Sequence, residues 1–199
     1  MNRTHSFDES LRRSQSYENA PWWFEVYRHA FPNLKAAVSV RADGWAQRGG
    51  IDRVLTLGCG KTLTVDEKVR EKAYQDILLE RFSDEAAKTP GWIQKKLACD
   101  YIAYAFVPLR TCYLLPTLTL QRAWQMHGRK WIGEYRPIRA HNERYVTLSI
   151  GVPIEVLFKA INDAMRVRWD DLPTKPIEKT PIEDDVDDLP LFARRKAAE

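Results

Sequence analysis

Scarce cysteine and histidine narrow the chemistry open to this chain. The three cysteines, Cys59, Cys99 and Cys112, form no CxxC pair, so neither a structural zinc site nor a disulfide framework is indicated, and a reducing cytoplasm fits best. The four histidines, His5, His29, His127 and His141, have no mutual spacing that suggests a metal cluster and read as structural or exposed. No apolar run approaches the roughly 18–20 residues of a membrane span. The Ser- and Arg-rich start lacks a hydrophobic signal segment, so no membrane partner is expected. A phosphate loop is also missing. Gly58-Cys59-Gly60-Lys61-Thr62 resembles one briefly, but Leu55 stands where the first glycine of GxxxxGK[ST] belongs, and a strand pattern follows instead of a helix.

Charge is only modestly one-sided, at +4 with a pI near 8.9. The acids are unevenly placed, however: Glu178, Glu183, Asp184, Asp185, Asp187 and Asp188 crowd one stretch, and the rest of the chain is correspondingly more basic. A mildly basic body suits a polyanionic partner without requiring one. With 199 residues, 44% of them hydrophobic and seven Trp, the chain can bury the core of one α/β domain.

Residues 1–16 are polar and read as a flexible N-terminus. Pro21 stands where a helix begins, and Trp22, Trp23, Val26, Tyr27, Ala30 and Phe31 recur at helical spacing before Pro32. Strands are expected over residues 36–41, 52–57, 63–69 and 76–82. A short helical piece is expected over 92–97, and a second hairpin over 101–106 and 111–115. A helix over 117–131 should place Leu118, Leu120, Gln121 and Trp124 near the core, followed by a strand over 145–150. A last helix from Pro153 to about Trp169 should align Val156, Leu157, Ala160, Ile161, Ala164 and Met165 on one face. Residues 170–199, rich in proline and acid, read as a disordered tail with an apolar end.

The most informative spacing lies around the Gly58-Cys59-Gly60 turn. Asp52 and Asp66 are equidistant from Cys59, so a hairpin closed there makes them cross-strand neighbours, with Cβ atoms roughly 4.5–5.5 Å apart. Lys68 lies two residues beyond Asp66 and projects from the same face. Two carboxylates this close repel unless a cation sits between them, and Mg²⁺ commonly takes one or two carboxylates plus waters and phosphate oxygens. The neighbouring lysine would orient or deprotonate an attacking water. A surface salt-bridge patch is the alternative. Against it, Val54, Leu55, Leu57, Leu63 and Val65 make the flanking strands apolar enough for a core.

Asp52 followed by Asp66-Glu67-Lys68 resembles the signature of the PD-(D/E)XK nuclease superfamily, in which an Asp opens one core strand and an Asp/Glu-x-Lys lies on the next; Ile51 stands where the eponymous Pro would be. The resemblance spans roughly residues 21–115. It implies a restriction-endonuclease-like αβββαβ core, with a mixed central sheet flanked by helices, over residues 17–169. It further implies a DNA nuclease, RNA not being excluded, that hydrolyses phosphodiester bonds by a metal-activated water. Asp52, Asp66 and the main-chain carbonyl of Glu67 would ligate Mg²⁺ or Mn²⁺, and Lys68 would serve the water. Members usually add a carboxylate from the first helix, for which Glu25 is the main candidate and Glu18 the second; either borders the site or is a solvated acid. A non-catalytic nucleic-acid-binding or replication and repair adaptor on the same fold is the alternative function.

Further residues extend the reading outward. Arg70 shares the face of Lys68 and would bind phosphate or else pair with Glu71 or Asp76. Glu80, on a strand expected beside the hairpin, would join the site or pair with Lys68 or Arg70. Gln94, Lys95 and Lys96 resemble the Gln/Lys-bearing helix found beyond the core lysine in several nuclease families, and Lys61 would touch backbone phosphate. Arg129 and Lys130 belong to a basic stretch interleaved with Trp124, Trp131 and Tyr135, suited to single-stranded or distorted nucleic acid or, equally, a solvated loop. At the far end Asp188-Leu189-Pro190-Leu191-Phe192 resembles the bacterial sliding-clamp-binding peptide, with Asp188 in place of its Gln. Leu189, Leu191 and Phe192 would fill the clamp's pocket or dock back on the body.

Overall fold

In the computed structural model, which describes residues 16–162 and 165–169, two sheets share one core. The first carries six strands: β1 (Leu34–Ser39), β2 (Arg53–Leu57), β3 (Thr62–Arg70), β6 (Tyr101–Phe106), β7 (Thr111–Pro116) and β10 (Met165–Arg168), adjacent in that order. Every neighbouring pair is antiparallel except β3 with β6, so the sheet is mixed. The second sheet is antiparallel, in the order β5 (Thr89–Pro90), β4 (Asp76–Asp84), β9 (Val146–Pro153), β8 (Pro137–His141). Helices α1 (Trp22–Ala30), α2 (Gly44–Gly49), α3 (Thr117–Glu134) and α4 (Ile154–Ala160) complete a mixed α/β fold. No helix among the described residues is long and apolar enough to cross a membrane.

Both faces of the first sheet are covered, which is why residues 101–106 and 111–115 read as continuous apolar runs. Along β6 and β7, Ala103, Ala105, Cys112 and Leu114 pack toward Trp23, Val26 and Tyr27 of α1. Their neighbours Ile102, Tyr104, Phe106, Tyr113 and Leu115 face the other way, into a core shared with β4, β9, α3 and α4. Period two thus divides one strand between two hydrophobic clusters.

A parallel pair needs a crossover, and the one between β3 and β6 runs through β4, β5 and the segment 91–100. Strand β4 was expected beside the hairpin, yet it pairs with β9 and β5 in the second sheet. Residues 92–97 form turns and no helix. Gly91 makes the return possible: its N–H donates to the Arg81 carbonyl at 2.8 Å, and a Cβ there would lie 2.2 Å from the Glu80 carbonyl oxygen.

Other expectations need correction. The last helix stops at Ala160, and residues 165–168 instead form β10 against β7, where Val167 is buried toward α1. Burial of Val167 and stacking of Trp169 on Trp22 at 4.8 Å outweigh the local helical pattern. Leu118, expected near the core, is 81% exposed, because α3 turns Leu120, Ala123, Trp124 and Trp131 inward. The tail, with Leu189, Leu191 and Phe192, lies outside the described residues.

Two glycines, one in the crossover and one in α3, should respond to alanine in opposite ways. Gly91→Ala should lower unfolding free energy in urea by about 2 kcal/mol, since backbone must move to admit the methyl. Gly133→Ala, exposed in α3 with open space around it, should raise it by about 0.5–1 kcal/mol. Equal stabilities would show the turn at Gly91 to be slack.

Candidate functional site: an acid pair on the central strand

Strand β3 builds the site by alternation. The hairpin pairs Arg53 with Val65, Val54 with Thr64, Leu55 with Leu63 and Thr56 with Thr62, the register centred on Cys59. Glu67 faces α1. Its side chain has no exposed surface, and it accepts from Arg53 Nε at 2.5 Å, Arg41 Nη2 at 3.1 Å and the Tyr27 hydroxyl at 2.8 Å. Burial, reinforced by the charge of Glu67, pushes the Tyr27 phenol well up. Asp66 and Lys68 face the other core, with Nζ and Oδ1 2.6 Å apart.

Asp52 reaches the same place by a different route from the one expected. The ladder ends at Arg53 and Val65, and Asp52 is no ladder partner of Asp66. Its N–H donates to the Val65 carbonyl at 2.8 Å, and its Oδ2 accepts the Glu67 N–H at 2.8 Å, so the carboxylate takes up the next donor of β3 where β2 has stopped. Arg41 lies 3.0 Å from the same oxygen, linking Asp52 to the buried Glu67. In extended backbone a residue's N–H and C=O point to one edge, so the Glu67 carbonyl is turned toward Asp52 as well.

These groups line a cavity of about 690 Å³ that also admits Glu80, Trp92, Arg48 and Lys95. Glu80 Oε1 accepts the Trp92 N–H at 3.2 Å, and Lys68 Nζ sits 6.0 Å from the centre of the Trp92 ring. Burial, and after it the charge of Asp66, raises the Asp52 carboxyl to about 6. Burial alone would lower Lys68, but Asp66, Asp52 and Glu80 outweigh it and the ammonium is held above its ordinary value. Lys68 therefore keeps its proton near neutrality, a state suited to orienting or neutralising and not to accepting a proton. Burial likewise pushes the Cys99 thiol to about 11 and Cys112 well up, which removes both from nucleophilic chemistry.

The remaining residues divide by position. Glu80 and Lys95 join the cavity. Glu25 does not; it pairs with Arg28 at 2.6 Å on α1. Glu18 accepts from Ser39 at 2.7 Å, and its carbonyl accepts from Arg53 at 2.7 Å, a structural role. Arg70 donates to the Tyr104 hydroxyl at 3.0 Å and lies over the Tyr74 ring, away from the cavity lining. Lys61 is exposed in the hairpin turn, five residues from Asp66, or about 16 Å along the strand. Lys96 and Arg129 line an adjoining groove, and exposed Lys130 lies 3.6 Å from Glu134. The reading of the sequence missed Arg41, Arg53, Trp92 and Arg48. Only Arg53, alternating with apolar residues on a core strand, carried a signal of burial.

A scan of protein-family models and searches of curated proteins and of solved structures found no match to this chain.

Raised acidity constants make a pH prediction. Folded Asp52 holds its proton to about pH 6, whereas an unfolded Asp releases it near 4. Between those values the folded state binds more protons, so this group's contribution to stability falls as pH rises from about 4 to 6 and stays lowered above that, by on the order of 3 kcal/mol. Asp52→Asn should therefore raise the melting temperature at pH 7.5 and lose that advantage by pH 4. Thermal melts with equal shifts at both pH values would remove Asp52 as the strained group.

Proposed function

We propose that this protein is a divalent-metal-dependent nuclease of the PD-(D/E)XK type, hydrolysing phosphodiester bonds in DNA. The observation that carries the reading is the convergence of Asp52, Asp66 and Lys68 on one cavity, where burial and the charge of Asp66 raise the Asp52 carboxyl to about 6. The order α1, β1, β2, β3, with the short helix α2 inserted between β1 and β2 and β6 following parallel to β3, supports an αβββαβ core. The departure is the crossover, where β4, β5 and turns stand in place of a second helix.

The donor set suits a hard cation. Although no cluster of three His, Cys, Asp or Glu groups stands ready for a metal among the described residues, Asp52, Asp66 and the Glu67 carbonyl would hold Mg²⁺ or Mn²⁺, with waters and phosphate oxygens completing the shell. When bound, the cation supplies Lewis acidity and positive charge at the scissile phosphate. The chain's own residues do the rest. Arg41 fixes the orientation of Asp52, Lys68 offsets phosphate charge and orients the water, and Trp92 walls the pocket. The water oxygen bonds to phosphorus as the bond to the leaving sugar oxygen breaks; the water's proton passes to that oxygen through solvent.

Arg41 and Lys68 already stand against the two carboxylates, which favours a second reading, a non-catalytic nucleic-acid-binding adaptor. Activity separates them. Purified protein should nick or degrade DNA with Mg²⁺ or Mn²⁺ and stop with a chelator. Asp66→Ala or Lys68→Ala should lower turnover by about 100-fold or more while largely sparing binding. Glu25→Ala should cleave like the parent. Absence of cleavage on duplex, single-stranded and branched DNA alike would leave the adaptor, and unchanged rates in both site variants would place the chemistry elsewhere.

A further inference from the structure

Helix α2 sends Arg48 into the lining of the acid cavity and holds the Trp45 ring against its guanidinium. Asp43 caps the helix, accepting from the Trp45 N–H at 2.7 Å and the Ala46 N–H at 3.0 Å, and the helix closes on Gly50 at φ 67°. Trp45 is nonetheless 80% exposed, its ring partner among the described residues being the Arg48 guanidinium 4.4 Å from the ring centre. Arg48 itself lines the cavity, and Gln47, its neighbour there, donates to the Arg41 carbonyl, so α2 is tied to the residue that holds Asp52. An indole left in water, beside a guanidinium that also lines the acid cavity, is a surface on which a nucleobase stacks.

The hollow that adjoins the cavity at Lys95 has different chemistry. A groove of about 680 Å³ runs between the crossover and α3, lined by Arg81, Lys95, Lys96 and Arg129 and by no acid among the described residues. Gln94, Gln121 and Gln125 add amide groups. Lys95 lines both hollows, so the two are contiguous. The acid cavity, by contrast, balances Asp52, Asp66, Glu67 and Glu80 against four bases. Arg48 thus joins the Trp45 ring to the acid cavity, and Lys95 joins the cavity to a groove whose charged residues are all basic.

We infer that the substrate is single-stranded nucleic acid, or a strand unpaired at the cleavage point, with a base stacked on Trp45 beside the acid cavity and the neighbouring phosphates held along Lys95, Lys96 and Arg129. Stacking on Trp45 requires a base face that a continuous duplex keeps covered by its neighbours. The inference rests on the nucleic-acid reading of the cavity and adds the form of the substrate to it.

Fluorescence anisotropy in EDTA, where metal-dependent hydrolysis does not run, tests it with labelled oligonucleotides of one length, single-stranded and blunt duplex. The parent protein should bind the single strand at least tenfold more tightly. Trp45→Ala should lose about tenfold on the single strand, the order of one base stack, and little on duplex; Trp45→Phe should keep most of the affinity. Lys96→Ala with Arg129→Ala should weaken binding and reduce the salt dependence by about 0.7 in slope for each phosphate that is no longer neutralised. Equal affinity for the two forms, or a preference untouched by Trp45→Ala, overturns the inference. Duplex preference with chelator-sensitive cleavage would leave the nuclease standing without this strand path. The expected binding pattern without cleavage of any substrate would leave the strand path without the nuclease.

Discussion

A carboxylate with no exposed surface needs partners within hydrogen-bond reach, and Glu67 has them on three sides in Arg53, Arg41 and Tyr27. That requirement fixes the register of the central strand. A slip of β3 by one residue would carry Glu67 to the cavity, away from Arg53, Arg41 and Tyr27, and drive the Lys68 ammonium beneath α1 toward those same two arginines. Placement of the acid pair therefore follows from an ion cluster on the opposite face, and Arg41, which touches both Glu67 and Asp52, couples the two faces at the end of the strand.

The cavity over that face is made by the crossover. Because β3 and β6 are parallel, the chain must leave the sheet, and it does so through β4, returning at Gly91 so closely that the Glu80 main chain excludes a side chain there. The turn sets Glu80 and Trp92 above Lys68. It also begins the segment whose lysines line the neighbouring groove. Parallel pairing, which constrains the sheet, thus also supplies the walls and the charge of the site.

Much of this was legible in the residues. The register about Cys59 and the side taken by Asp66 and Lys68 follow from symmetry and period two, and the structure keeps both. The stripe ending at Pro32 marked α1, and Asp43 with the Gly49-Gly50 pair signalled α2 for a reader of caps, although its apolar periodicity is too short to register. Strand β8 was hidden because it is an edge strand with mostly exposed side chains and no alternation to detect. Strand β10 was hidden because apolar residues spaced like a helix run straight into it. The assignment of β4 to a second sheet, and with it the contact of Glu80 and Trp92 with the site, depends on long-range pairing that local sequence does not carry. Arg41 is missed for the same reason: only the fold brings it to Asp52.

The central claim is that Asp52 and Asp66 form one cation site. Calorimetric titration with Mn²⁺ at pH 7.5 tests it most directly, in the parent protein and in Asp66→Asn and Glu25→Gln variants. The account predicts a single site in the parent, unchanged by Glu25→Gln, weakened at least tenfold by Asp66→Asn, and weaker in the parent at pH 5, where Asp52 holds its proton. Binding of equal strength in the parent and Asp66→Asn would contradict it, as would no binding at all.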